Sequence, residues 1–67
     1  MKIMLNNREE IFENESMTVS ELLSKKNMTF RMRIVKINGD LVDRNEYDNT
    51  TVYDGDTVQV IYLMSGG

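Results

Sequence analysis

Residues 57–67 read TVQVIYLMSGG, and this stretch decides both the fold and the question of function. The density of Val, Ile, Tyr and Leu from Thr57 to Leu63 predicts a last strand in a central position, buried on both faces. Ser65-Gly66-Gly67 then closes the chain and holds two of its four glycines. With Gly at about 7% of average usage, a terminal Gly-Gly arises by chance in roughly one chain in two hundred.

Working outward from that strand, Asp54-Gly55-Asp56 reads as a tight turn with solvated carboxylates. Asp43 to Thr51 reads as an irregular polar crossing with Tyr47 as its only large apolar anchor, and Leu41-Val42 as a short strand after an Asn38-Gly39 turn. Phe30 to Ile37 reads as a further strand whose alternation changes phase. Phe30, Met32 and Ile34 share one parity and Val35 and Ile37 the other, so either a bulge lies near Ile34 or the strand proper begins there. At the amino end, Ile3 and Leu5 alternate with Lys2 and Met4 before Asn6-Asn7, which predicts a hairpin returning over Arg8 to Glu13 with Phe12 inward.

Between these strands lies a helix signal. Thr18 and Glu21 have capping-box spacing, and Met17 and Leu22 can close a hydrophobic staple, so a helix starts at Val19. Val19, Leu22 and Leu23 share one face, Lys25-Lys26 suits the negative end of the helix dipole, and Asn27 suits a left-handed cap. Two antiparallel strands, a crossover helix and further strands ending in a central one describe a mixed sheet of four to five strands around one helix, a β-grasp. A split βαβ unit of another topology shares most of these signals.

A chain of 67 residues makes one domain, expected here over 1–67 with a flexible tail at 64–67. It has no Cys and no His, which removes the thiol nucleophile, the thiolate metal ligand, the usual general base and the commonest zinc ligand. No apolar run approaches the length of a membrane span and no leader pattern opens the chain, so the expectation is a cytoplasmic protein without membrane contact. The net charge of −3 divides into −3 over residues 1–24, +5 over 25–36 and −5 over 37–67. Interspersed surface charge explains this, and so does a basic docking face for an acidic or phosphorylated partner.

Other constellations fail on composition or spacing. Asp48 to Asp56 lacks the alternating ligands, sixth-position glycine and twelfth-position glutamate of a calcium loop. Arg44 near Asp43 and Glu46 reads as a surface ion pair. Lys25, Lys26, Arg31 and Arg33 surround a single aromatic, Phe30, in an acidic chain, which argues against nucleic acid. No glycine precedes Gly39, so no Gly-rich phosphate loop is present; ATP chemistry would need a partner's site.

The tail carries the remaining chemistry. Met64 to Gly67 span at most about 14 Å, enough to thread a narrow channel. Gly66-Gly67 pass where any β-carbon would clash, and the group presented is the α-carboxylate of Gly67. Attack of that carboxylate on the α-phosphate of Mg-bound ATP gives an acyl-adenylate, from which a thiol, persulfide or amine displaces AMP.

The stretch VKINGDLVDRNEYDNTTVYDGDTVQVIYLMSGG, Val35 to Gly67, resembles the ThiS family of sulfur carrier proteins, and TVSELL, Thr18 to Leu23, resembles that family's helix start. Asn38-Gly39 matches the family's turn, Val42 and Arg44 flank its proline position, Tyr47 stands at its tryptophan, Gly55-Asp56 matches its Gly-Asp turn and Gly66-Gly67 its functional tail. Asp43 replaces the proline, and Ser65 stands where Gly or Ala is commoner. Lys26 takes a helix position where the family often buries Leu, leaving Met28 or Phe30 to fill that volume.

The resemblance implies a ubiquitin-like β-grasp and a protein co-substrate, not an enzyme. Gly67 would be adenylated by a ThiF-like adenylyltransferase that uses ATP and Mg, then converted with a sulfur donor protein to a thiocarboxylate. The sulfur would pass to a ThiG-like thiazole synthase for thiamine biosynthesis, with Gly66 and Ser65 giving the tail access and no cofactor bound to the carrier. Two alternatives stay open: a MoaD-like small subunit of molybdopterin synthase or another sulfur carrier, and a ubiquitin-like protein modifier. For docking, alternation places Val58 and Val60 inward and Gln59 and Ile61 outward, so Ile61, Gln59 and Met64 are the expected partner contacts, bordered by Arg31, Arg33 and Lys36.

Overall fold

The computed structural model describes residues 1–63. Strands β1 (Lys2–Leu5) and β2 (Arg8–Ile11) form the first hairpin. Its turn residues Asn6 and Asn7 have φ of 50° and 67°, the positive values that a two-residue hairpin turn demands and that Asn tolerates. Phe12 follows β2 and packs half-buried on the core, as expected, while Ile11 faces out. A short strand β3 (Ser16–Thr18) then leads into helix α1 (Val19–Lys25).

The helix start is sealed twice over. The Thr18 hydroxyl accepts from the Glu21 N–H and the Glu21 carboxylate accepts from the Thr18 N–H, both at 3.1 Å, completing the capping box. The two amides the box leaves over, Val19 and Ser20, donate to the carbonyls of Thr50 and Tyr47 at 2.9 and 3.1 Å. At the other end Asn27 takes φ 55°, its N–H reaching the Ser24 carbonyl and the Met28 N–H the Leu23 carbonyl. That is a Schellman cap with Asn in place of glycine. Of the two residues expected to compensate for Lys26, Met28 packs against the core and Phe30 does not.

The next strand, β4 (Arg33–Ile37), begins where the alternation changes phase, and no strand covers Phe30 to Met32. It turns through Asn38 and Gly39, at φ 51° and 87°, into β5 (Asp40–Val42). The crossing over 43–51 is more regular than its polarity predicts. Residues Arg44–Glu46 form a 3₁₀ turn, Tyr47 is 7% exposed, and β6 (Thr51–Tyr53) pairs antiparallel with β3. This two-stranded sheet is local to the crossover and was invisible to periodicity, because three-residue strands carry no measurable alternation.

Strand β7 (Thr57–Tyr62) completes the main sheet in the order β2-β1-β7-β4-β5. It runs parallel to β1 and antiparallel to β4, which makes the sheet mixed and gives the β-grasp. Ile3, Leu5, Val35, Val58 and Val60 turn to Val19, Leu22 and Leu23 of the helix in one cluster. The expectation of burial on both faces is corrected: Thr57, Gln59 and Ile61 are exposed, because the single helix covers only one side of the sheet.

Asp43 has φ −63°, the angle a proline ring imposes, and its side chain caps nothing. Asp43→Pro is therefore expected to stabilise the fold by about 0.4–1 kcal/mol by restricting the unfolded chain. Chemical denaturation checks this; a loss of stability would show that the Asp43 N–H or its approach to Val42 matters.

Candidate functional site

The expected reactive residues Gly66 and Gly67, with Ser65 and Met64, lie outside the described residues. What the structure describes is the strand that leads to them and the surfaces on either side of it. The base of β7 is held by a knot of side chains at the turn before it. Tyr53 N–H donates to Asp56 Oδ2 at 2.9 Å, Asn38 Nδ2 donates to Asp56 Oδ1 at 3.1 Å, and Asn38 Oδ1 accepts from the Thr57 N–H at 2.9 Å. Asp54 Oδ1 accepts from the Lys2 N–H at 2.7 Å. These carboxylates are structural acceptors as well as the turn carboxylates the sequence predicts, with Asp54 exposed and Asp56 half-buried. Gly55, at φ 89°, supplies the backbone conformation that lets both reach back.

Further along β7, the Asn6 carboxamide does the work of a missing strand residue. Its Oδ1 accepts from the Val60 N–H at 2.8 Å and its Nδ2 donates to the Val60 carbonyl at 3.2 Å, extending the β1 side of the ladder past Leu5. On the β4 side the pairing runs through Arg33 opposite Tyr62, and one more bond joins the Leu63 N–H to the Met32 carbonyl at 2.8 Å. The strand is thus held from the β1 side as far as Val60 and from the β4 side as far as Leu63. Nothing in the hydrophobic pattern marks Asn6 for this; its side chain acts only because the hairpin ends beside β7.

The two faces at the end of β7 differ. On the open face Ile61 is 39% exposed opposite Ile34, and Gln59 lies opposite Lys36, with Leu41 and Met4 exposed on the flanking strands. Gln59 and Ile61 stand where alternation places them, and Lys36 borders them. Arg33 does not: it pairs with Tyr62 on the helix side, its guanidinium 5.2 Å from the centre of the Tyr47 ring. Arg44 makes no ion pair with Asp43 or Glu46; its Nη2 donates to the Arg31 carbonyl at 2.6 Å. A main-chain acceptor at short range outcompetes two solvated carboxylates on the same short turn. Among the described residues no group of acidic side chains is arranged to hold a metal ion, and no helix is long and apolar enough to cross a membrane.

Comparison with known proteins identifies the arrangement. The family model described as the ThiS family matches residues 2–67. A crystal structure of a thiamine biosynthesis protein (ThiS) from Geobacter metallireducens superposes with a TM-score of 0.90 at 36% identity, covering 100% of both chains. A solution structure of a thiamine biosynthesis protein from the same organism superposes with a TM-score of 0.77 at 35% identity, covering 100% of this chain and 88% of that one. A curated thiazole synthase from Paramagnetospirillum magneticum is 33% identical over all 67 residues, which amount to 20% of that protein's length.

Asn6→Gly keeps the positive φ and removes the carboxamide. It is expected to cost about 1–3 kcal/mol by leaving the Val60 amide and carbonyl without their partner, and to speed hydrogen exchange at Val60. Unchanged exchange at that amide would remove Asn6 from the role of strand extension.

Proposed function

The chain belongs to the ThiS family, and from that premise we propose that it is a sulfur carrier for thiazole formation in thiamine biosynthesis. The observation that carries the reading is the family match over residues 2–67, which takes in the Ser65-Gly66-Gly67 tail and the strand that leads to it. The carrier is a co-substrate and performs no turnover of its own.

In the proposed reaction the Gly67 α-carboxylate oxygen attacks the α-phosphate of Mg-bound ATP in the site of a ThiF-like adenylyltransferase. The new bond joins carboxylate oxygen to phosphorus and pyrophosphate leaves. The terminal sulfur of a persulfide on a donor protein then attacks the adenylate carbonyl and AMP leaves. A second thiol cleaves the resulting acyl disulfide, releasing the thiocarboxylate and leaving the donor sulfur in a disulfide, and the thiocarboxylate delivers its sulfur to a thiazole synthase. This chain supplies position. Pairing from both neighbours fixes the base of the tail, and Met64 to Gly67 reach at most about 14 Å from it. Absence of side chains at Gly66 and Gly67 admits the carboxylate to a narrow channel. The likeness of the whole chain to one fifth of a thiazole synthase supports that enzyme as the acceptor, since joining donor and acceptor in one chain raises their effective concentration.

Docking is assigned to the open face, with Ile61 and Gln59 in contact with the adenylating partner and Met64 continuing toward the channel. Ile61 is an exposed apolar side chain beside the tail with no role in the core. Substitution there separates docking from folding.

Intact-mass spectrometry after incubation with the adenylyltransferase, Mg-ATP and a sulfur donor is expected to show replacement of one oxygen by sulfur. Higher-mass conjugates would make the chain a protein modifier, and an unchanged mass with active enzyme would leave the tail inert. Deleting Gly67 is expected to abolish activation at nearly unchanged thermal stability, since the core cluster among the described residues ends at Val60. Ile61→Asp is expected to slow activation while the melting temperature holds; an unchanged activation rate would move the dock off this face.

A further inference from the structure

Residues 28–32 belong to neither strand nor helix, yet their backbone is held at successive carbonyls. Arg33 Nη1 donates to the Phe30 carbonyl, Arg44 Nη2 to that of Arg31, and the Leu63 N–H to that of Met32. Arg33 is itself fixed by the buried Tyr47 ring beneath its guanidinium and by its place opposite Tyr62. The loop is therefore a built feature and not slack between elements.

What it presents is apolar. Phe30 meets Tyr62 edge to face, with ring centres 5.0 Å apart at 81°. Phe30, Met32, Tyr62 and Leu63 line one groove with Arg31, at 62%, 53%, 43% and 44% exposure for the four apolar side chains. None of the four belongs to the core cluster. Their area stays in water in the free protein, a cost recovered only when a partner covers it.

The charge around the groove says what kind of partner. Residues 25–36 carry five cations and no acid in a chain of net charge −3. The salt bridge found among the described residues takes Lys26, which pairs with Glu10, so Arg31 stands at the groove with no carboxylate partner among them. A long polyanion would meet the acidic remainder of the chain, whereas a short acidic segment feels only the charges within a Debye length of about 8–10 Å. A second copy related by a twofold axis would set this basic segment against itself.

We propose that this groove receives an apolar side chain flanked by carboxylates on the adenylating partner that takes up the tail. It is a second contact, on the helix side of β7, in addition to Ile61 on the open face. The two surfaces straddle the point where the tail leaves the sheet, so a partner gripping both fixes the direction of the tail as well as its base.

The inference rests on the carrier reading, and the test is ATP–pyrophosphate exchange by the adenylating partner with carrier concentration varied. Phe30→Ala is expected to raise the KM for the carrier about tenfold with kcat retained, because the groove holds the partner and not the reacting carboxylate. Arg31→Glu is expected to raise KM and reverse its dependence on ionic strength, and Arg31→Lys to restore the original salt dependence. Thermal melts of the three variants establish that they fold. An unchanged KM in both Phe30→Ala and Arg31→Glu, with the unaltered chain active, overturns the groove alone. Failure of the unaltered chain to support exchange overturns the groove and the carrier reading together. A dimer in sedimentation that Phe30→Ala abolishes gives the groove to a second copy and also overturns the proposal.

Discussion

The structure depends on the insertion of β7 between β1 and β4. Strands from opposite ends of the chain are made neighbours there, so the first hairpin, the helix and the β4–β5 hairpin have to be arranged around a slot that the last strand fills. Val58 and Val60 then close the core against α1, and without them Ile3, Leu5 and Val35 would have no common floor. A parallel neighbour requires the chain to cross the sheet between the two strands, and α1 makes that crossing on the way from the first hairpin to β4. The short β3–β6 pair and the amides of Val19 and Ser20 tie it to the 43–51 crossing.

The same insertion makes the end of β7 a fixed point. The Asn6 carboxamide serves Val60 from one side and β4 serves Tyr62 from the other. On the proposed reading the reactive group is the terminus itself, with no side chain to orient, so precision would come from the backbone that leads to it. Pairing along β7 supplies that, and the half-covered sheet leaves Ile61 available beside it.

Features particular to this chain cluster around Arg33. Tyr47, at the position of the family's tryptophan, gives the guanidinium an aromatic face, and Arg33 in turn holds Phe30 over Tyr62. Asp43, at the proline position, keeps the proline angle, which is why the departure leaves the 3₁₀ turn intact. Asp43 and Tyr47 thus sit in an intact fold, and Tyr47 supports the Arg33 that holds the groove beside the end of β7.

Much of this was legible in one dimension because its causes are local. Thr18 and Glu21 form their box within one helical turn, Asn6-Asn7, Asn38-Gly39 and Gly55 carry their own positive φ values, and the alternation of Val58 and Val60 names the core face of β7. The Gly66-Gly67 ending was legible as composition alone. Whatever depends on residues distant in sequence was not: which face of β7 lacks a cover, that Asp54 and Asp56 bond main-chain and side-chain donors, that Asn6 completes a ladder 54 positions away, that Arg33 lies on the helix side of the sheet, and that Arg44 turns from carboxylates to a carbonyl. Local backbone preference and periodicity act over one turn or one strand, so the sequence by itself determined the helix, the hairpin turns, the inward face of β7 and the family's tail, but not the short β3–β6 pair or the start of β4. Hydrogen bonds between side chains and distant backbone exist only after the sheet has closed, and the tertiary structure alone decided which surfaces flank the tail.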